Sequence, residues 1–191
     1  MKLVNAPNLV TMSRIVLIPL IIGIYYLPAD WLSIDDQNAL ATGVFVLAAI
    51  TDWLDGFLAR RLDQMSAFGA FLDPVVDKLI VAGALIVLLQ LGRVEALVAL
   101  IVIGREIAIS ALREWMAKTG HAKSVAVAFI GKLKTVSQMV AIPLLLYHDP
   151  LFGRIDCQWL GTVLINVAAV LTVASMLYYI RKALPHASIR L

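Results

Sequence analysis

Six apolar stretches, each close to the length of a membrane-crossing helix, constrain this chain more than any other feature. They run from about Asn8 to Leu27, Leu40 to Phe57, Val75 to Leu91, Val94 to Ala111, Val125 to Tyr147 and Leu160 to Ile180. A helix crossing about 30 Å of hydrocarbon needs roughly 20 mainly apolar residues. The pattern therefore predicts an all-α integral membrane protein with six transmembrane helices, residues 1–191 forming a single six-helix membrane domain. Composition agrees: 61% of residues are hydrophobic and 15% charged, against roughly 45–50% and about 25% in a soluble domain. The net charge of +3 is too small to mark a nucleic-acid footprint, and it suits anionic lipid headgroups better. The single Cys157 excludes an intrachain disulfide, and no Cys/His spacing suggests zinc.

Basic residues set the orientation of such a bundle. Lys2, Arg60, Arg61, Lys118, Lys123, Arg181, Lys182 and Arg190 fall on one side, and only Arg93 and Arg154 on the other. Both termini are therefore expected in the cytoplasm. Arg14 interrupts the first apolar stretch, which argues against a cleaved signal peptide and keeps that span in the mature protein.

Ionisable groups within spans are costly, and by default they face the bundle interior or a water-filled cavity. Asp52 and Asp55 end the second span at i,i+3 spacing, and Asp73 and Asp77 begin the third at i,i+4, so each pair shares a helix face. The short connection from Arg61 to Phe68 makes the two helices antiparallel neighbours. Four carboxylates then converge near the cytoplasmic surface. They cannot all ionise unaided, because like charges raise one another's pKa. A cation resolves this, and hard oxygen ligands with no His or Cys nearby suit Mg²⁺ or Mn²⁺ over zinc. Mg²⁺ usually keeps waters and binds a few carboxylates plus substrate phosphates, which points to a diphosphate substrate. Gly56 and Gly69 leave room for close approach, and Arg60 supplies a bidentate phosphate donor. Helix capping, or pairing with Lys78, Arg60 and Arg61, explains one such aspartate easily and four together poorly.

The segment Asp52-x-x-Asp55-Gly56-x-x-Ala59-Arg60, followed after eight residues by Gly69-x-x-x-Asp73-x-x-x-Asp77, resembles the complete signature of the CDP-alcohol phosphotransferases. Chance agreement at its eight fixed positions is on the order of 10⁻¹⁰ per starting point. The resemblance implies that family's fold and a membrane enzyme that moves a phosphate-linked group from a CDP-alcohol to an acceptor hydroxyl, releasing CMP. It further implies a site for two Mg²⁺ or Mn²⁺ ions at Asp52, Asp55 and Asp73. Asp77 would lie near both metal and acceptor as the base, with Gly56, Ala59, Arg60 and Gly69 along the cytidine diphosphate. A homodimer is the implied assembly.

The acceptor must be read from the other in-span charges. Arg105 and Arg113 are two turns apart on nearly one helix face, and Lys132, Lys134 and Thr135 follow Gly131 in the fifth span. Aimed inward, they form a pocket for a further phosphate, so the acceptor is expected to be a phosphate monoester. The alternative is neutralisation, with Arg105 pairing Glu106 or an aspartate and with Arg113 and Lys134 reaching to the interface.

Arg105 to Trp115, Gly131 to Thr135 and Asn8 to Arg14 resemble the branch of the family that uses sn-glycerol 3-phosphate. That branch implies transfer of the phosphatidyl group from CDP-diacylglycerol, giving phosphatidylglycerophosphate and CMP in anionic phospholipid biosynthesis at a bacterial inner membrane. Asn8, Thr11 and Arg14 would then border the nucleotide or lipid headgroup. Inositol phosphate, serine, choline or phosphatidylglycerol as acceptor, and a divalent-cation transporter outside the family, are the competing readings. Trp31, Trp53, Trp115, Trp159 and the pair Tyr178-Tyr179 lie near span ends, where an aromatic belt is expected.

Overall fold

The structure is a computed structural model that describes the backbone of residues 6–62, 67–119 and 129–187, and the side chains of 12–52, 69, 71–119, 131 and 133–184. Six helices follow in order: α1 (Ala6–Ile24), α2 (Ile34–Leu62), α3 (Ala67–Gln90), α4 (Ala96–Lys118), α5 (Phe129–Tyr147) and α6 (Cys157–Ala187).

Local chemistry fixes several ends. Ser33 caps α2 reciprocally: its hydroxyl accepts from the Asp36 amide at 3.2 Å and donates to the Asp36 carboxylate at 2.6 Å. This places acidic charge against the positive end of the helix. Asp156 accepts from the Trp159 amide at 2.9 Å and starts α6. At the end of α3, Gly92 takes φ +69°. The Arg93 amide bonds the Leu88 carbonyl at 2.9 Å and the Gly92 amide bonds that of Leu89 at 3.0 Å, a Schellman turn that an L side chain at position 92 would strain. The chain thereby reverses into α4 within a few residues.

α1 packs on α2 and α3, α3 on α4, α2 on α5, and α6 on both α4 and α5. The α5–α6 contact is the most extensive and depends on Gly161, where a Cβ would lie 2.7 Å from Cγ of Leu145 and 3.3 Å from the Ala141 carbonyl. Ile21, Phe45, Leu85, Leu88, Val102, Ile142, Leu145 and Ile165 form the centre of the core. In a lipid environment such side chains hold helices together by close packing rather than by removal from water.

The helices extend beyond the apolar runs, notably α2 to Leu62, α4 to Lys118 and α6 to Ala187. The first helix stops at Ile24, short of the expected Leu27, because the chain turns through Tyr25 to Leu27 ahead of Pro28. α3 begins at Ala67 and carries Pro74 inside it, rather than starting at Val75. Among the described residues one helix, Cys157–Leu184, is long and apolar enough to cross a membrane by length and composition, and Met12–Ile24 and Leu133–Tyr147 are shorter apolar segments. The outer surface is strongly apolar: Val16, Leu100, Ile107, Val136 and Val170 are each more than 60% exposed. Patches of this kind ordinarily mark a lipid or protein interface.

Candidate active site

Asp52 near the C-terminal end of α2, and Asp73 and Asp77 on α3, converge on a single guanidinium. Arg14 Nη1 lies 2.5 Å from Asp52 Oδ1 and 2.6 Å from Asp77 Oδ1, and Nη2 lies 3.6 Å from Asp73 Oδ1. Arg14 is 2% exposed, whereas each carboxylate is over 40% exposed. The guanidinium thus ties α1 to α2 and α3 from inside, leaving the carboxylates open on their other side. Pro74 follows Asp73 directly and removes one backbone donor from α3 beside the cluster.

Asp52 and Asp77 line a cavity of about 710 Å³ whose wall also includes Lys78, Arg105, Glu106, Ser110, Arg113, Lys134, Thr135 and Gln138. That volume lies within the range of small-molecule sites, roughly 300–1,000 Å³. The aspartates come from α2 and α3, two glutamates, Glu106 and Glu114, from α4, and most of the cations from α4 and α5. A second, apolar groove of about 300 Å³ is lined by Phe45, Val46, Ala49, Ile50, Met139 and Pro143. It shares Met139 with the main cavity.

The cations are unequally committed. Lys134 is 2% exposed and donates from Nζ to Glu106 Oε1, so it does not reach to the interface. Arg105 Nη1 lies 3.3 Å from the same oxygen, and its Nη2 donates to Ser175 Oγ at 3.1 Å. Arg113 has no ion pair among the described residues, and its Nε has no hydrogen-bond partner there. Arg105 therefore pairs Glu106 and faces the cavity at once.

Thr135 lines the cavity, and its hydroxyl donates to the Gly131 carbonyl at 2.9 Å. Gly69 is buried near the start of α3. The side chains of Asp55, Ala59, Arg60 and Lys132, of Asn8 and Thr11, and the position of Gly56 within its helix face lie outside the described side chains. Two residues escaped the sequence reading. Ser175 gave no signal beyond lying within an apolar helix, whereas Glu106 is the partner expected for Arg105. Tyr179 was assigned with Tyr178 to an interfacial belt, yet Tyr178 is 40% exposed and Tyr179 fully buried. Tyr179 lies 6.0 Å from the Arg105 Cζ and 5.5 Å from the Arg113 Cζ, measured to its ring centroid.

The carboxylates offer only hard oxygen donors, which fit Mg²⁺ or Mn²⁺ in kind. As arranged around Arg14, no three His, Cys, Asp or Glu side chains among the described residues are gathered tightly enough to hold an ion. Asp55 belongs to the same helix face as Asp52 by spacing, outside that set.

An apolar helical bundle with carboxylates and cations lining one cavity has the volume and donors to take a small phosphate-bearing ligand. A family model described as CDP-alcohol phosphatidyltransferase matches residues 4–175, and the chain belongs to that family. A protein of Escherichia coli (strain K12) named CDP-diacylglycerol--glycerol-3-phosphate 3-phosphatidyltransferase is 47% identical over 181 residues, covering 94% of this chain and 94% of its own length. Proteins of the same name from Shigella flexneri serotype 5b (strain 8401) and Salmonella choleraesuis (strain SC-B67) match with the same identity and coverage.

Proposed function

We propose that this chain transfers the phosphatidyl group of CDP-diacylglycerol to sn-glycerol 3-phosphate, giving phosphatidylglycerophosphate and CMP. The observation that carries this reading is the single cavity joining Asp52 and Asp77 to Arg105, Arg113 and Lys134. A reaction between a diphosphate and a phosphate-bearing alcohol needs both kinds of wall. The names of the relatives agree with it.

Asp52, Asp55, Asp73 and Asp77 would hold Mg²⁺ or Mn²⁺, two ions in all. When bound, such ions neutralise charge on the diphosphate and make CMP a better leaving group. Asp77 is the base. Its carboxylate takes the proton of the acceptor hydroxyl, that oxygen forms a bond to the phosphatidyl phosphorus, and the bond from this phosphorus to the CMP oxygen breaks. Arg14 holds Asp77 and Asp52 in register through its bonds to both. Arg113, Arg105 and Lys134, with Lys132 and Thr135, receive the acceptor phosphate, which fixes its hydroxyl toward Asp77. Asn8, Thr11, Gly56, Ala59, Arg60 and Gly69 border the cytidine diphosphate and headgroup. The apolar groove beside Ile50 and Met139 suits an acyl chain entering from the side.

On this reading the chain is one six-span domain in a bacterial inner membrane, a homodimer with both termini and the site facing the cytoplasm. The exposed apolar faces of the helices support a lipid environment. The test uses purified protein, CDP-diacylglycerol and glycerol 3-phosphate carrying a label in its phosphate. Label appearing in a lipid product with the mass of phosphatidylglycerophosphate is the expected result; label remaining wholly in the water phase contradicts it.

A further inference from the structure

Two of the cavity's arginines are backed by an element that contributes none of the cavity's described lining residues. Arg105 and Arg113 both line it, while the described lining residues come from α2, α3, α4 and α5 and none from α6. Behind them stands α6. Ser175 accepts from Arg105 Nη2 at 3.1 Å and donates to the Thr172 carbonyl at 3.0 Å, so its hydroxyl is oriented by its own helix. One turn further, Tyr179 is fully buried against Ile109, Met116 and Ala183. Its ring centroid lies within 6.0 Å of both guanidinium carbons, which is cation–π distance.

A flexible arginine side chain must lose rotamer freedom when it grips a phosphate. A rigid ring removes part of that freedom in advance. It also offsets the repulsion between two like charges without using up their N–H donors, as a carboxylate would. Glu106 is already shared between Arg105 and Lys134. Arg113 has no ion pair among the described residues, and there the ring of Tyr179 lies 5.5 Å from its Cζ.

We propose that Tyr179 is a positioning residue for the acceptor: its ring holds Arg105 and Arg113 in the orientation that captures the phosphate of the acceptor alcohol. This rests on the acceptor reading given above. The ring's π face carries the effect.

The experiment compares Tyr179→Phe, Tyr179→Leu and pentafluorophenylalanine at position 179, in purified full-length protein, by KM for glycerol 3-phosphate, KM for CDP-diacylglycerol and kcat. Tyr179→Leu is expected to raise the acceptor KM about tenfold, with kcat within about twofold and the lipid-donor KM unchanged. Tyr179→Phe should keep the acceptor KM near that of the unmodified protein. Should the leucine variant not fold, the phenylalanine and pentafluorophenylalanine forms decide, since they share a shape and differ in the sign of the ring's quadrupole. A rise in acceptor KM for the fluorinated ring alone supports the proposal; equal values overturn it. Tyr179→Phe falling as far as Tyr179→Leu also overturns it, because the hydroxyl would then be the operative group. Unmodified protein that releases CMP without needing glycerol 3-phosphate overturns the acceptor reading and this inference together. Protein that needs it, with Tyr179→Leu unchanged, overturns the inference alone.

Discussion

Arg14 and Asp77, 63 residues apart in the chain, meet at 2.6 Å, and the same Arg14 nitrogen lies 2.5 Å from Asp52. One buried cation from α1 thus sets the spacing between an aspartate of α2 and an aspartate of α3. The carboxylate cluster is a three-helix construction, although its signature lies on two helices.

Removing that cation leaves the carboxylates facing one another. Deleting one partner of a fully buried ion pair costs about 3–5 kcal/mol, but these carboxylates are over 40% exposed, which screens much of the repulsion. Arg14→Ala is expected to cost about 1–2 kcal/mol of stability, read as a lowered Tm in detergent. Its turnover should fall further than that of Arg14→Lys, which keeps the charge.

Asp77→Asn keeps the shape of the side chain and removes its capacity to accept a proton. Loss of a positioned base costs about 10²–10⁴-fold in rate. The expected outcome is near-complete loss of kcat with CDP-diacylglycerol binding largely retained, measured by equilibrium binding of the lipid donor. Full turnover would remove Asp77 from that role.

Arg113→Ala removes a cavity cation that has no ion pair among the described residues. Its acceptor KM is expected to rise about tenfold or more, with the donor KM little changed. Lys134→Ala should show the same direction with an added loss of stability, because Glu106 then keeps only Arg105 as an ion-pair partner among the described residues. An acceptor KM unmoved in both variants would return these residues to a purely neutralising role.

Arg93 predicts the opposite pattern. It donates to the Leu145 and Leu146 carbonyls at 3.0 and 2.8 Å and to Asn38 at 2.9 Å, closing the end of α5 against α2. Charged hydrogen bonds are worth about 1.5–3 kcal/mol each when fully buried and less at this partly exposed site. Arg93→Ala should lower Tm by several degrees and leave both KM values unchanged. A selective rise in acceptor KM would contradict its placement away from the site.

The helices and the carboxylate pairs were legible because both are local: apolar runs give the helices, and i,i+3 and i,i+4 spacing places Asp52 with Asp55 and Asp73 with Asp77. Helix ends were less so. Hydropathy marks the apolar run, and the helical backbone of α4 continues past it to Lys118; turn chemistry before Pro28 stops α1 early. What the sequence concealed is long-range. No spacing rule joins Arg14 to residues 38 and 63 positions away. Nothing local separates Tyr178 from Tyr179, adjacent residues on one helix that differ only in what α4 brings against them. Arg105 was read as either paired or facing a pocket, and it does both.

The most direct test of the proposed reaction is CMP release by the purified protein, measured with CDP-diacylglycerol alone, with added Mg²⁺ or Mn²⁺, with glycerol 3-phosphate, and with both. Release only when metal and glycerol 3-phosphate are present together is the predicted result. Release that is indifferent to glycerol 3-phosphate, or that proceeds after the metal is chelated, would contradict it.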